Sequence, residues 1–389
     1  MLLRTEPLES QVAALISSHP EQPLIPITQK NVAAMVETAT VQRFTSPSGD
    51  HPVIVWHPTK PLLLTLYDIA LWAIDGIPIH QFGSLGFGGW YNNGSHFAVQ
   101  DKLPAYRIDA YDPLRQQIDY LESSASLMMY PNPSRPLIGL TDTSQIHGWI
   151  PHDRTIMTFD SVPHPMSQYL QWSPDGNWLL MLARSRYTPE YRLTEGAFLS
   201  MWNAEGHLLW HQHLNILDVS RPQWSPDSQH FVTRQMNIVQ WWDRDGTIVN
   251  EYHLPSTPNM NHETLYHDSK SILAWSPTGR YLAVPSATAV YLFMADGELI
   301  GELFAGNESG IMCLAWHPTS PLITIGYWDG IIRLWSLEGI CLHSIPAYSQ
   351  GSKSLGTPYM LRWRTDGSYL AAALRNYSVH LYGLADQDD

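Results

Sequence analysis

The chain has 389 residues, 44% of them hydrophobic and only 15% charged, which is ample for a large core and too apolar for bulk disorder. No run approaches the ~18 consecutive apolar residues of a membrane-spanning helix, so no membrane segment is expected. The formal charge of −14, from 22 Lys and Arg against 36 Asp and Glu, argues against nucleic acid as the main ligand, because phosphate binding needs a basic surface.

Residues 1–40 read as a short helical arm. Leu8, Val12, Leu15 and Ile16 have helical spacing, and Val32, Ala33, Met35 and Val36 predict a second short helix. Such an arm either packs as a cap on the rest of the chain or offers a helix to a partner. The opening MLLRTEPLES has no apolar segment behind Arg4, unlike a secretory leader. Two cysteines, Cys313 and Cys341, cannot form a disulfide framework, so a reducing, cytoplasmic setting is expected. Both read as buried small apolar residues.

From residue 41 onward one phrase recurs: an aromatic residue, then a Ser-Pro or His-Pro turn, then an apolar strand. The clear copies start at Trp56, Trp172, Trp224, Trp275 and Trp316; weaker ones start at Trp90, Tyr130 and Trp363. A second phrase follows each first one: an aromatic at the end of an alternating strand, then an acidic turn, as in Trp72-Ala-Ile-Asp-Gly76, Trp202-Asn-Ala-Glu-Gly206, Trp242-Asp-Arg-Asp-Gly246, Phe293-Met-Ala-Asp-Gly297 and Trp335-Ser-Leu-Glu-Gly339. Proline presets the first turn and the acidic-Gly pair closes the second. Each unit therefore predicts four short antiparallel strands, a to d. In the seventh unit these are residues 311–316, 322–326, 331–335 and 340–344. A four-stranded sheet apolar on both faces cannot bury them alone; radial packing of many copies can. The expected fold is all-β, an eight-bladed β-propeller over residues 41–389, with seven blades the alternative because units two and three are weak. The eighth unit ends at its strand c. The segment 41–46 sits where a strand d belongs and is expected to close the ring, since an open sheet edge is a liability.

These units resemble WD40 repeats, most closely over Gly310–Ser336, with Leu-Ala-Trp-His-Pro, Tyr-Trp-Asp-Gly330 and Arg-Leu-Trp335. The sequence departs from the family in lacking Gly-His before strand a. A tight-turn Asp between strands b and c is clear only at Asp329. The Asp-His-Ser/Thr-Trp hydrogen-bond network of the family is therefore expected to be mostly absent. The resemblance implies a rigid, non-catalytic platform for protein partners.

No Walker A, G-x-G-x-x-G, H-E-x-x-H or G-x-S-x-G pattern occurs, and no cofactor, metal or catalytic residue is predicted. His211 and His213, and His262 and His267 with Glu263 and Asp268, lack the three or four converging ligands of a zinc site. The long connections are 184–196, 255–270 and 346–358. All three map to the face that carries the d–a and b–c loops, here termed the top, and long loops on one rigid face mark a binding surface. Arg184, Arg186, Tyr187, Tyr191 and Arg192 lie on the first, Tyr266 on the second and Tyr348 on the third. Shorter top-face turns add Tyr327, Trp328, Arg375 and Tyr377. Arg, Tyr and Trp dominate interface energetics, and the arginines suggest a protein partner with an acidic patch. The expected function is an intracellular interaction scaffold, a subunit of a larger complex. The alternative is a small-ligand or enzymatic propeller using the central channel, whose walls read as mainly Ile, Val, Leu, Met and Gln.

Overall fold

The computed structural model describes residues 25–384 apart from short intervals, the longest being 42–52, 185–195, 256–272 and 348–355. The described residues form eight four-stranded antiparallel sheets. Blade 1 runs through Val53–Trp56, Leu62–Leu66, Asp68–Ala73 and Pro78–Ser84. Blades 2 to 6 follow over 88–123, 128–158, 168–214, 223–253 and 274–304. Blade 7 comprises Ile311–Trp316, Leu322–Tyr327, Ile331–Ser336 and Cys341–Pro346, within two residues of the expected bounds. Strands a of neighbouring blades touch, as blade 8 does with blades 1 and 7, and so form the inner ring. The core is distributed: each apolar cluster spans one blade interface or a pair of blades, such as Leu180, Leu199 and Met201 of blade 4 with Trp224, Phe231 and Trp242 of blade 5.

Blade 8 is built from both ends of the chain. Pro358–Trp363, Leu370–Leu374 and Val379–Leu384 supply strands a to c, and Met35–Val41 supplies strand d. The register runs from Met35 opposite Leu384 to Val41 opposite Val379, with a bulge between Glu37 and Ala39. The expected closure therefore occurs, but six residues earlier than 41–46. The expected helical arm is corrected. Among the described residues the arm contains only a 3-10 turn, Val32–Ala34. Met35 and Val36, read as helical, begin the closing strand. The run Val36, Thr38, Thr40, Val41 is β-branched at four of six positions, and that stiffness favours a strand. The periodicity at Leu8 to Ile16 lies outside the described residues. Ile27 and Val32 are buried against blades 7 and 8, and the Ile27 amide donates to the Gly367 carbonyl at 2.9 Å. This part of the arm packs on its own propeller.

The recurrent tryptophan stitches blades together. Trp56 donates its indole N–H to the carbonyl of Arg362, Trp90 to Val55, Trp275 to Gln223 and Trp316 to Ala274. In each case the acceptor is the residue just before the anchor of the preceding blade. Trp172 donates to Tyr130 at 2.8 Å, which places the blade 3 anchor at Pro131, one residue later than the sequence phrase suggested. Trp363 instead reaches Thr324 Oγ1 at 3.0 Å.

The next residue secures the turn on the bottom face. His317 Nδ1 accepts the amides of Thr319 and Ser320, while Nε2 donates to the Gly367 carbonyl of blade 8 at 3.0 Å. Asn132 does the same in blade 3: Oδ1 accepts Ser134 and Arg135 amides and Nδ2 donates to Gly176 at 2.8 Å. His57 accepts Thr59 and Lys60 amides and faces Gly94 of blade 2. Each ring also meets the next anchor edge-on, at 4.6 Å for His57–Trp90 and 4.5 Å for His317–Trp363. Gly367 is needed twice over. Its φ is +75°, and a Cβ there would come within 2.2 Å of the His317 ring. Where the residue is Ser, its hydroxyl binds within its own turn: Ser173 donates to Asp175 at 2.5 Å and accepts the Trp178 amide.

Trp316→Phe keeps most of the apolar volume and removes one donor. It is expected to cost about 1–2 kcal/mol in urea denaturation; a change under about 0.3 kcal/mol would show that the stitch contributes nothing.

Candidate functional site

The top face is best defined at the junction of blades 7 and 8. In blade 7 the b–c turn is Tyr327-Trp-Asp-Gly330, and in blade 8 it is Leu374-Arg-Asn-Tyr377. The two are built alike. Asp329 Oδ1 accepts the Ile331 amide at 2.9 Å, and Asn376 Oδ1 accepts the Ser378 amide at 3.1 Å. Asn376 thus does the work of the tight-turn Asp, a match the sequence reading missed by seeking Asp alone. Tyr377 occupies the left-handed position that Gly330 holds in blade 7, with φ 64°, and packs half-buried on the blade 8 core.

Between the turns, the Arg375 guanidinium lies over the Trp328 ring, 4.7 Å from its centre. Backbone bonds fix both residues: the Trp328 amide donates to Gly310 at 3.0 Å and the Arg375 amide to Thr357 at 2.9 Å. Trp328 is 38% exposed, an unusual position for so large an aromatic. Tyr327 must be withdrawn from the contact set. It is the last residue of strand b, its ring is fully buried, Arg333 stacks over it at 4.6 Å, and burial pushes its hydroxyl up to about 12. Arg184 closes strand b of blade 4 opposite Ala197. Arg186, Tyr187, Tyr191, Arg192, Tyr266 and Tyr348 lie outside the described residues. Of the eleven predicted contact residues, the structure brings together Trp328, Arg375 and Tyr377.

The central channel differs from its sequence reading. Arg362, on strand a of blade 8, alternates with buried Leu361 and Trp363 and is open to water. Its guanidinium is near enough to Tyr169, on strand a of blade 4 halfway around the ring, for the two to interact electrostatically. Neighbouring protein partly desolvates it and pulls it below the usual arginine range. Arg221, just before strand a of blade 5, stacks over the Tyr169 ring at 4.8 Å. Burial raises the hydroxyl of Tyr169 and lifts that of Tyr130 to about 12, so both remain O–H donors at neutral pH. The signal was present in the sequence, but Arg362 stands within a phrase otherwise read as apolar wall.

The histidines read as unlikely metal ligands have protein partners where they are described. His211 Nδ1 is 2.8 Å from Ser200 Oγ, and His213 Nε2 accepts the Gly196 amide at 3.1 Å. His262, His267, Glu263 and Asp268 lie outside the described residues. Cys313 is buried, as expected, and its thiol is pushed up to about 12. Cys341 is a correction: it is exposed, because it begins the outermost strand of its blade. On the bottom rim, a cleft of about 790 Å³ opens between blades 4 and 5, lined by Trp178, Trp210, His230, Asp243 and Arg244 among others.

Comparison with known proteins agrees with this architecture. Residues 297–336 match the family model described as "WD domain, G-beta repeat". Rat WD repeat-containing protein 1 is 35% identical over 68 residues, 17% of this chain and 11% of that protein. Mouse dynein axonemal intermediate chain 1 is 24% identical over 153 residues, 36% of this chain and 21% of that protein. The matches thus span only a minor part of these relatives. Among solved structures, the C-terminal WD40 domain of Sif2 superposes with a TM-score of 0.65 at 11% identity, covering 91% of this chain and 99% of that one. Chaetomium thermophilum Sqt1, solved bound to the N-terminus of the ribosomal protein L10, gives 0.64 at 14% identity over 89% of this chain and 99% of its own. With eight four-stranded sheets built on one plan, the chain is an eight-bladed β-propeller, one of whose repeats, residues 297–336, matches the WD40 model.

Proposed function

We propose that this propeller is a non-catalytic scaffold that holds protein partners on its top face, as a subunit of a larger assembly in the cytoplasm. The observation that carries this reading is the Trp328–Arg375 stack: an exposed indole on a residue tied by its amide to Gly310 of blade 7, capped by the guanidinium of Arg375, whose amide is tied to Thr357 of blade 8. Preorganised aromatic and arginine side chains make the strongest interface anchors, because little entropy is lost on docking. Arg184, Arg186 and Arg192 belong to another top-face connection, and together with Arg375 they favour a partner with an acidic patch. Two free cysteines fit a reducing compartment. That Sqt1 was solved with a ribosomal protein segment is a precedent for partner binding on such a fold and says nothing of which partner this chain takes.

The test is affinity purification of the tagged full-length chain from its native cells, beside Trp328→Ala and Arg375→Ala. The expected result is a tenfold or greater loss of specific partners in both variants at unchanged melting temperature. Equal recovery of partners by the wild type and both variants would overturn docking at this junction.

A further inference from the structure

The charge distribution around the inner ring points to a second site. The chain carries fourteen more acidic than basic residues, yet none of its eight strands a contains a carboxylate. Their one formal charge is the cation of Arg362. Among the described residues its side chain makes a single hydrogen bond, from Nη1 to the carbonyl of its neighbour Leu361 at 3.0 Å, and no ion pair. Most of its forked donors are uncommitted. It stands open to water, so its uncommitted donors are within reach of an incoming anion.

The surroundings supply the rest of a binding site. Tyr169 stands on strand a of blade 4, across the ring from Arg362 on strand a of blade 8, with Arg221 stacked on its ring at 4.8 Å. The site thus offers a forked cation and a phenol on strands a of blades 8 and 4, and a second guanidinium just before strand a of blade 5. Convergent polar groups are what a small-ligand site requires. Guanidinium groups favour the planar, bidentate geometry of carboxylate and phosphate.

We propose that the central channel binds a small organic or inorganic anion, through its carboxylate or phosphate group, at Arg362 with Tyr169 and Arg221. This site is independent of partner docking on the top face, and Trp328→Ala leaves it intact.

Isothermal titration calorimetry on the full chain, with inorganic phosphate, citrate and a hexaglutamate peptide as probes, tests this. Phosphate or citrate is expected to bind, and which of the two binds more tightly identifies the anion class. Arg362→Met is expected to weaken that binding at least tenfold, and Arg362→Lys, which keeps the charge but loses the fork, at least threefold. Arg280→Met, on an exterior turn, should change nothing. In anion-free buffer Arg362→Met is expected to melt no lower than the wild type, since Arg362 is open to water and makes no ion pair among the described residues. Absence of binding by both small anions overturns the proposal, as does equal weakening in the Arg280 and Arg362 variants. Binding of hexaglutamate alone would reassign the channel to an acidic partner segment and overturn it too. Should Arg362→Met not fold, the Lys variant decides: unchanged affinity there overturns the site.

Discussion

A chain beginning at residue 42 is expected to lose its cooperative thermal transition. Such a truncation removes strand d of blade 8 and leaves strand c, Val379–Leu384, as an open edge. It also removes Ile27, Val32, Met35 and Val41, each no more than 2% exposed. At roughly 1.5–3 kcal/mol per buried aliphatic side chain, the loss is comparable with the ~5–15 kcal/mol that stabilises a typical domain. The ion pair of Glu37 with His380, at 2.8 Å, contributes far less because the Glu37 side chain is 41% exposed, so Glu37→Ala should cost under about 1 kcal/mol. Val41→Asp places a charge in the blade 8 core and is expected to cost at least about 3 kcal/mol. Circular dichroism on heating measures all three. A sharp, unshifted transition in the truncated chain would show that the ring does not depend on this strand.

Stability is also expected to fall as the pH drops from 6.5 toward 4. Burial holds the His57 imidazole down at about 4 and lowers that of His317 as well. Both rings accept two backbone amides at Nδ1, a role open only to the neutral form. Between pH 6.5 and 4 the unfolded chain binds a proton at His57 that the folded chain refuses. The stabilisation is therefore fully present above pH 6.5 and is lost as acid approaches the folded value. For His57 alone this amounts to roughly 3 kcal/mol. Asn132 performs the same task in blade 3 with a side chain that does not titrate. The double variant His57→Asn, His317→Asn should fold at pH 7.5 and lose much of this acid sensitivity. Urea denaturation at pH 7.5 and pH 5 measures it. An identical drop in stability for wild type and double variant would show that other groups carry the acid response.

Much of the architecture was legible because its chemistry repeats. Ser173 and Asp175 close a turn whose residue types can be read directly, and Ser225 and Asp227 do so again. Copies with different chemistry were harder to align. Pro131 and Asn132 hold the places of Trp and Ser without resembling them, so the third unit was read one residue out of register. The closing strand was misassigned because Val32, Ala33, Met35 and Val36 match helical spacing; only the partner strand, more than three hundred residues away, selects the extended form. At the site, Trp328 and Arg375 could be proposed from residue type and loop position. Their stacking could not, since it depends on how two blades are set against each other. Tyr327 failed for the opposite reason: one residue separates a strand end that faces inward from a turn that faces out. Arg362 was overlooked because its partners lie on other blades, and no local pattern registers a charge whose surroundings are assembled by closing a circle.

The shared blade has a bearing on biosynthesis. Glu37 and His380, which meet in the finished molecule, are 343 positions apart along the chain. On the ribosome the first of these segments waits through the synthesis of more than three hundred residues before the other exists. Contacts of such long range form slowly, and an unpaired strand is prone to mispairing while it waits. Termination before Val379 would release a molecule with most of its blades in place and a permanently unzipped seam. Such a product would be a substrate for chaperones and proteases, so translation of strand c is a checkpoint on the closing of the ring.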